Sequence, residues 1–73
     1  MDNEQVKVGD RIKVVELPPY LKTAEPMPML RSANLINLGE EGVILSPQPG
    51  GYWAIRFTQK AFLLESKYFV KVD

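Results

Sequence analysis

Leu38-Gly39-Glu40-Glu41-Gly42-Val43-Ile44-Leu45-Ser46-Pro47-Gln48-Pro49-Gly50-Gly51-Tyr52-Trp53-Ala54-Ile55-Arg56-Phe57 reads as one β-hairpin. Val43, Ile44 and Leu45 are apolar, two of them β-branched, and suit a buried strand. Pro47, Pro49, Gly50 and Gly51 interrupt it, because proline cannot donate to a ladder and glycine reaches the positive φ that a tight reversal needs. On the return, Trp53, Ile55 and Phe57 alternate with Tyr52, Ala54 and Arg56, so the two sets point to opposite faces. Gly39 and Gly42 bracket two carboxylates, and a strand entered that way predicts a bend or a close backbone approach.

Working outward, Gly9-Asp10 opens a first strand over residues 11–16. Ile12 and Val14 point inward there, Arg11 and Lys13 outward. Val15 and Leu17 fall in the opposite phase, which a bulge, a strong twist or burial of both faces would accommodate. Beyond the hairpin, residues 61–64 and 68–72 read as two more strands. A 3₁₀ turn over Glu65-Ser66-Lys67 separates them. By alternation Tyr68, Val70 and Val72 share one face of the last strand, and Phe69 and Lys71 the other, outward face. The expected architecture is therefore all-β, a small five-stranded SH3-like barrel with strands at 11–16, 42–46, 52–57, 61–64 and 68–72. Residues 1–5 are expected to be a flexible lead and 6–73 a single barrel domain. Small all-β domains reduce the edge-strand problem by curling toward closure.

Between the first two strands lies a long connection containing Pro18, Pro19, Pro26 and Pro28. Connections of such length in a small domain are usually functional or disordered. Tyr20, Leu21, Met27, Met29, Leu30, Leu35, Ile36 and Leu38 are too many apolar groups for a solvated tail. The segment is expected to be an ordered, proline- and methionine-containing loop. Polyproline II geometry is expected near Glu25-Pro26-Met27-Pro28, and a helical turn or short strand within 31–38.

Composition narrows the function classes. The chain has 73 residues, nine acidic and nine basic, with no histidine and no cysteine. A domain this size buries only about 60% of its unfolded surface. Without histidine or cysteine the commonest catalytic base, the best nucleophile and thiolate metal ligation are gone. The serines at 32, 46 and 66 are not in a nucleophile-elbow setting, and Glu40 and Glu41 are adjacent, so on a strand they face apart. Gly50-Gly51 lacks the spacing of a phosphate loop. The expectation is a non-enzyme with no metal and no cofactor. Zero net charge disfavours nucleic acid, whose binders carry a basic excess. No apolar run approaches the ~20 residues of a membrane span. The acidic start, Met-Asp-Asn-Glu-Gln, does not read as a targeting signal, which points to a cytoplasmic protein. A monomer is expected.

The positive signals are for protein binding. Methionine adapts its shape at binding surfaces, and proline lowers the entropy lost when a loop docks. Met27, Met29 and Leu30 could equally cap the open end of a barrel. Trp53 belongs by phase to the core, although tryptophan near a strand end also anchors interfaces. Tyr52, Arg56 and Phe62 could form an outward patch. The expected partner-contacting residues are Tyr20, Met27, Met29, Leu30, Arg31, Tyr52, Trp53, Arg56 and Phe62.

Val8-Gly9-Asp10-Arg11-Ile12-Lys13-Val14-Val15, Leu17 to Arg31, Gly39 to Val43, Pro49 to Phe57 and Ala61 to Tyr68 together resemble the SipA family. These are small cyanobacterial proteins that interact with the sensor histidine kinase NblS. The resemblance implies a non-enzymatic regulator that binds the kinase's ATP-binding catalytic domain and stimulates its autophosphorylation, in high-light and nutrient-stress signalling. It also allows contact with the cognate response regulator. A weaker resemblance, through the Gly9-Asp10 opening and the Gly42-Val43 start of the second strand, is to PsaE-like SH3-like subunits of photosynthetic electron-transfer complexes. That glycine-led strand also suggests a KOW-like RNA-binding barrel, which the charge balance disfavours.

Overall fold

The computed structural model describes residues 6–24, 29–58 and 60–72. Seven strands form one antiparallel sheet: β1 (Arg11–Val14), β2 (Tyr20–Thr23), β3 (Leu30–Ser32), β4 (Glu41–Gln48), β5 (Tyr52–Arg56), β6 (Ala61–Glu65) and β7 (Phe69–Lys71). Their order across the sheet is β3-β2-β6-β5-β4-β1-β7. The sheet is not closed: among the described residues β3 pairs only with β2, and β7 only with β1.

The central hairpin is present and longer than its hydrophobic run. β4 continues to Gln48 through Pro47, which sits opposite Trp53. Proline is tolerated there because β1 pairs with β4 only at residues 41–43, so only β5 flanks the distal half. A register shift between Ile44 and Ser46 absorbs the irregularity. Gly50 and Gly51 turn the chain at φ 80° and 82°. Gly42 serves a different need. A Cβ there would lie 2.8 Å from the Arg56 carbonyl oxygen and 2.8 Å from Ile55 Cγ2, so only glycine lets the two strands come so close.

One face of the sheet supplies one core. Val6, Ile12, Val14, Leu21, Ile36, Ile44, Ile55, Phe57, Phe62, Leu64 and Phe69 form a single buried cluster, with Trp53 and Tyr68 packed against it. Leu21 from β2 and Phe69 from β7, near opposite ends of the strand order, belong to the same cluster. No α-helix covers the face among the described residues, so the sheet curls over its own side chains.

Several expectations are corrected. Among the described residues the strands number seven, not five. The extra two, β2 and β3, lie in the connection expected to be a loop, and they pair as a hairpin. Tyr20-Leu21-Lys22-Thr23 alternates exposed, buried, half-buried, buried, and Leu21 pins it to the core. A 3₁₀ turn at Ala33–Leu35 follows, its Asn34 N–H donating to Ser32 Oγ, and delivers Ile36 to the core. The polyproline stretch at residues 25–28 lies outside the described residues, as does the 1–5 lead.

β1 ends at Val14, and Val15 and Leu17 are exposed, so neither a bulge nor two-faced burial is needed. In β4 only Ile44 reaches the core, while Val43 and Leu45 face out. The last strand has the opposite phase to that expected. The 3₁₀ turn takes in Ser66–Tyr68, so β7 starts one residue later and buries Phe69 opposite Val14. Phe62, expected on the outward patch, is buried in the core, because β6 enters the sheet with Ile55 opposite it.

Candidate protein-binding groove

The outward side of β3-β2-β6-β5 is built by register. Lys22 is opposite both Leu30 and Leu63, and Leu63 is opposite Ala54. These four form one row across the sheet, in which Ala54 is buried and Lys22, Leu30 and Leu63 are at least partly exposed. One step along, Tyr52 is opposite Glu65 and Tyr20 is opposite Ser32.

Two hollows follow. The first, of about 170 Å³, is lined by Pro18, Pro19, Tyr20, Lys22, Tyr52, Leu63, Leu64, Glu65 and Tyr68. The second, shallower and about 710 Å³, is lined by Lys22, Leu30, Gln48, Pro49, Gly50, Tyr52 and Leu63. They share Lys22, Tyr52 and Leu63 and so make one groove. All three tyrosines of the chain line it. Lys22 Nζ sits 4.5 Å from the centre of the Tyr52 ring, a cation–π contact across the groove floor. Glu65 lies 4.0 Å from Lys67, a solvent-exposed pair that contributes little. Tyrosine gives such a surface apolar area with a polar tip and few rotatable bonds, the properties that suit protein contacts.

Of the residues expected to contact a partner, Tyr20, Leu30 and Tyr52 meet in this groove. Met29 and Arg31 project from the other face of β3, adjoining each other through an Arg31 Nη2 to Met29 Sδ contact of 3.9 Å. Met27 lies outside the described residues. Trp53 is half-buried and packed on the core rather than presented to solvent. Arg56 faces out at the far end of β5, beside a separate hollow with Leu45, Thr58 and Lys60. Phe62 is core.

Sequence reasoning missed Lys22, Leu63, Glu65 and Tyr68. The alternation in Tyr20-Leu21-Lys22-Thr23 was the available signal for Lys22. The surrounding prolines obscured it, since they read as loop punctuation. Tyr68 could not be placed by alternation, because a 3₁₀ turn breaks the strand phase at that residue.

Comparison with known proteins bears on the partner. The family model described as "CRR42-like: Protein CHLORORESPIRATORY REDUCTION 42-like" matches residues 8–69. An Arabidopsis thaliana protein named "Protein CHLORORESPIRATORY REDUCTION 42, chloroplastic" is 41% identical over 70 residues, covering 94% of this chain and 58% of its own length. The chain thus spans less than two thirds of that relative. No solved structure matches.

These matches overturn the resemblance to SipA. With it go the NblS-like kinase and its response regulator as partners, the two-component stress-signalling role and the cyanobacterial setting. The cytoplasmic expectation also falls, since the relative is a chloroplastic plant protein. The PsaE-like assignment is not supported either, although an accessory role in electron transfer stands closer to the relative's name than kinase regulation does. Apart from Leu17 to Arg31, the strings that carried the resemblance are turn glycines and alternating strands. Hairpin geometry demands them whatever the partner, so they speak to the fold rather than to one function.

Proposed function

The chain belongs to the CRR42-like family, and on that footing we propose that it is a non-enzymatic docking factor for a chlororespiratory electron-transfer complex, the NDH complex, in the chloroplast. The observation that carries this reading is the family match across 62 residues, from 8 to 69, which span every strand but the end of β7. The groove gives that match a physical means. It offers tyrosine rings, proline edges and a leucine, which are binding chemistry. Histidine and cysteine, the usual carriers of acid–base and nucleophilic catalysis, are missing from the sequence.

We read the curled sheet as an SH3-like barrel in a single domain, with β2 and β3 as an added hairpin. The support is the short 3₁₀ turn before β7, the pairing of β7 back onto β1, and the one shared core.

The test is affinity capture. Tagged protein is incubated with detergent-solubilised thylakoids from a plant, and the captured polypeptides are identified by mass spectrometry. Enrichment of NDH subunits over an unrelated small β-domain bait is the expected result. Enrichment of a different complex, or of none, would defeat the proposal.

A further inference from the structure

We propose that the groove between Tyr20 and Tyr52 holds an extended, proline-rich segment of the partner protein that also carries a basic residue. This deepens the docking role above and rests on it.

The spacing is the argument. Tyr20 lies on β2 and Tyr52 on β5, with β6 between them. The β2–β6 pairing, Lys22 opposite Leu63 and Thr23 opposite Phe62, stops short of Tyr20; carried on by two residues its register sets Tyr20 across from Glu65, and both residues line the same hollow. Tyr52 is directly opposite Glu65 from the other side. Tyr20, Glu65 and Tyr52 therefore form one row perpendicular to the strands. Neighbouring strands lie about 4.8 Å apart, so the two tyrosine positions are separated by about 9.6 Å. A polyproline II segment rises about 3.1 Å per residue with three residues per turn, about 9.3 Å per turn. Laid across the strands, such a segment brings every third residue over a tyrosine without adjustment. An extended β-type segment repeats every two residues, at about 6.6–6.8 Å, and does not match.

The walls fit the same occupant. Pro18 and Pro19 stand at the Tyr20 end and Pro49 at the Tyr52 end. A proline ring packs on an aromatic face with its backbone φ already fixed, so little ordering entropy opposes docking. Charge selects the basic residue. Glu65 sits in the row between the two rings, and its ion pair with Lys67 is long and open to solvent. A ligand guanidinium can displace Lys67 and bind the carboxylate in two-pronged fashion. Lys22 lies over the Tyr52 ring in the free protein, so its flexible side chain must swing aside for a ligand ring to pack there.

Fluorescence anisotropy tests the assignment. The probe is a labelled synthetic peptide with proline-proline-alanine repeated three times before one arginine. Saturable binding is expected, weakened about five- to tenfold by Tyr20→Ala and by Tyr52→Ala, as loss of an aromatic anchor does. Glu65→Gln should weaken the arginine peptide but leave a peptide ending in alanine unaffected, and added salt should erase that difference. Circular dichroism confirms that each variant folds, and the exposed Tyr20 makes Tyr20→Ala the safeguard if Tyr52→Ala does not. No binding overturns the proposal, and so does equal binding of a peptide with its prolines replaced by alanine. Binding indifferent to both tyrosines overturns it as well. A concentration-dependent dimer that Tyr52→Ala abolishes would assign the groove to a second copy instead. If NDH subunits are still captured while the peptide fails, the docking role stands and only the occupant is wrong.

Discussion

β4 and β5 hold Ile44 and Ile55 at 1% and 0% exposure, whereas all three residues of β3 are exposed. The first hairpin has strands on both sides along part of its length and points Ile44 and Ile55 into the core, with Trp53 packed against it. The second hairpin is anchored through β2 alone, by Leu21 and Thr23, and its outer strand has one neighbour. The core draws mainly on the first hairpin, while the proposed docking face combines the second with β6 and with Tyr52 of the first. The division runs by face within a strand: inward residues such as Leu21 and Ile55 fill the core, while Tyr20 and Tyr52 on the same strands line the groove.

Changes in the two hairpins should separate accordingly. The largest effect is expected where the core is tightest. Phe69→Ala empties a fully buried site and should cost about 3–5 kcal/mol. A chain of 73 residues has roughly 4–11 kcal/mol in total, so thermal denaturation should show a domain at or near unfolding. Gly42→Ala comes next. Its methyl would press on the Arg56 carbonyl, Ile55 and Phe57, costing about 1–3 kcal/mol in urea denaturation. If Gly42→Ala is neutral, the close approach of β4 to β5 is wrong.

Within the second hairpin the effects should be smaller and local. Thr23→Val keeps shape but removes the Oγ1 that accepts the Met29 N–H at 2.9 Å. About 1 kcal/mol is expected, read as faster hydrogen exchange at the Met29 amide with the β5 amides unchanged. Faster exchange throughout the sheet would show the hairpins to be one cooperative unit. Leu30→Asp, at an exposed edge, should shift stability by no more than about 0.5 kcal/mol while lowering capture of the partner. A large loss of stability there would contradict the division of labour.

The same contrast explains what could be read from sequence. Ile12, Val14, Ile55 and Phe57 alternate cleanly, and their burial follows from period two alone. The second hairpin was hidden because Pro18, Pro19, Pro26 and Pro28 flank or interrupt short strands of four and three residues. Phe69 was misplaced for a local reason: one residue more of 3₁₀ turn reverses every side chain that follows. Tyr20 and Tyr52 could be named from sequence as candidate contacts, but their convergence depends on β6 lying between β2 and β5. That is a long-range pairing no local pattern encodes.

The central claim is that the β2-β6-β5 face docks a partner while the core merely supports it. Capture from solubilised thylakoids with the double variant Tyr20→Ala and Tyr52→Ala, beside a melting curve, tests this most directly. The account predicts a melting temperature close to the parent's and loss of the captured NDH subunits. Full capture by a folded double variant would contradict it.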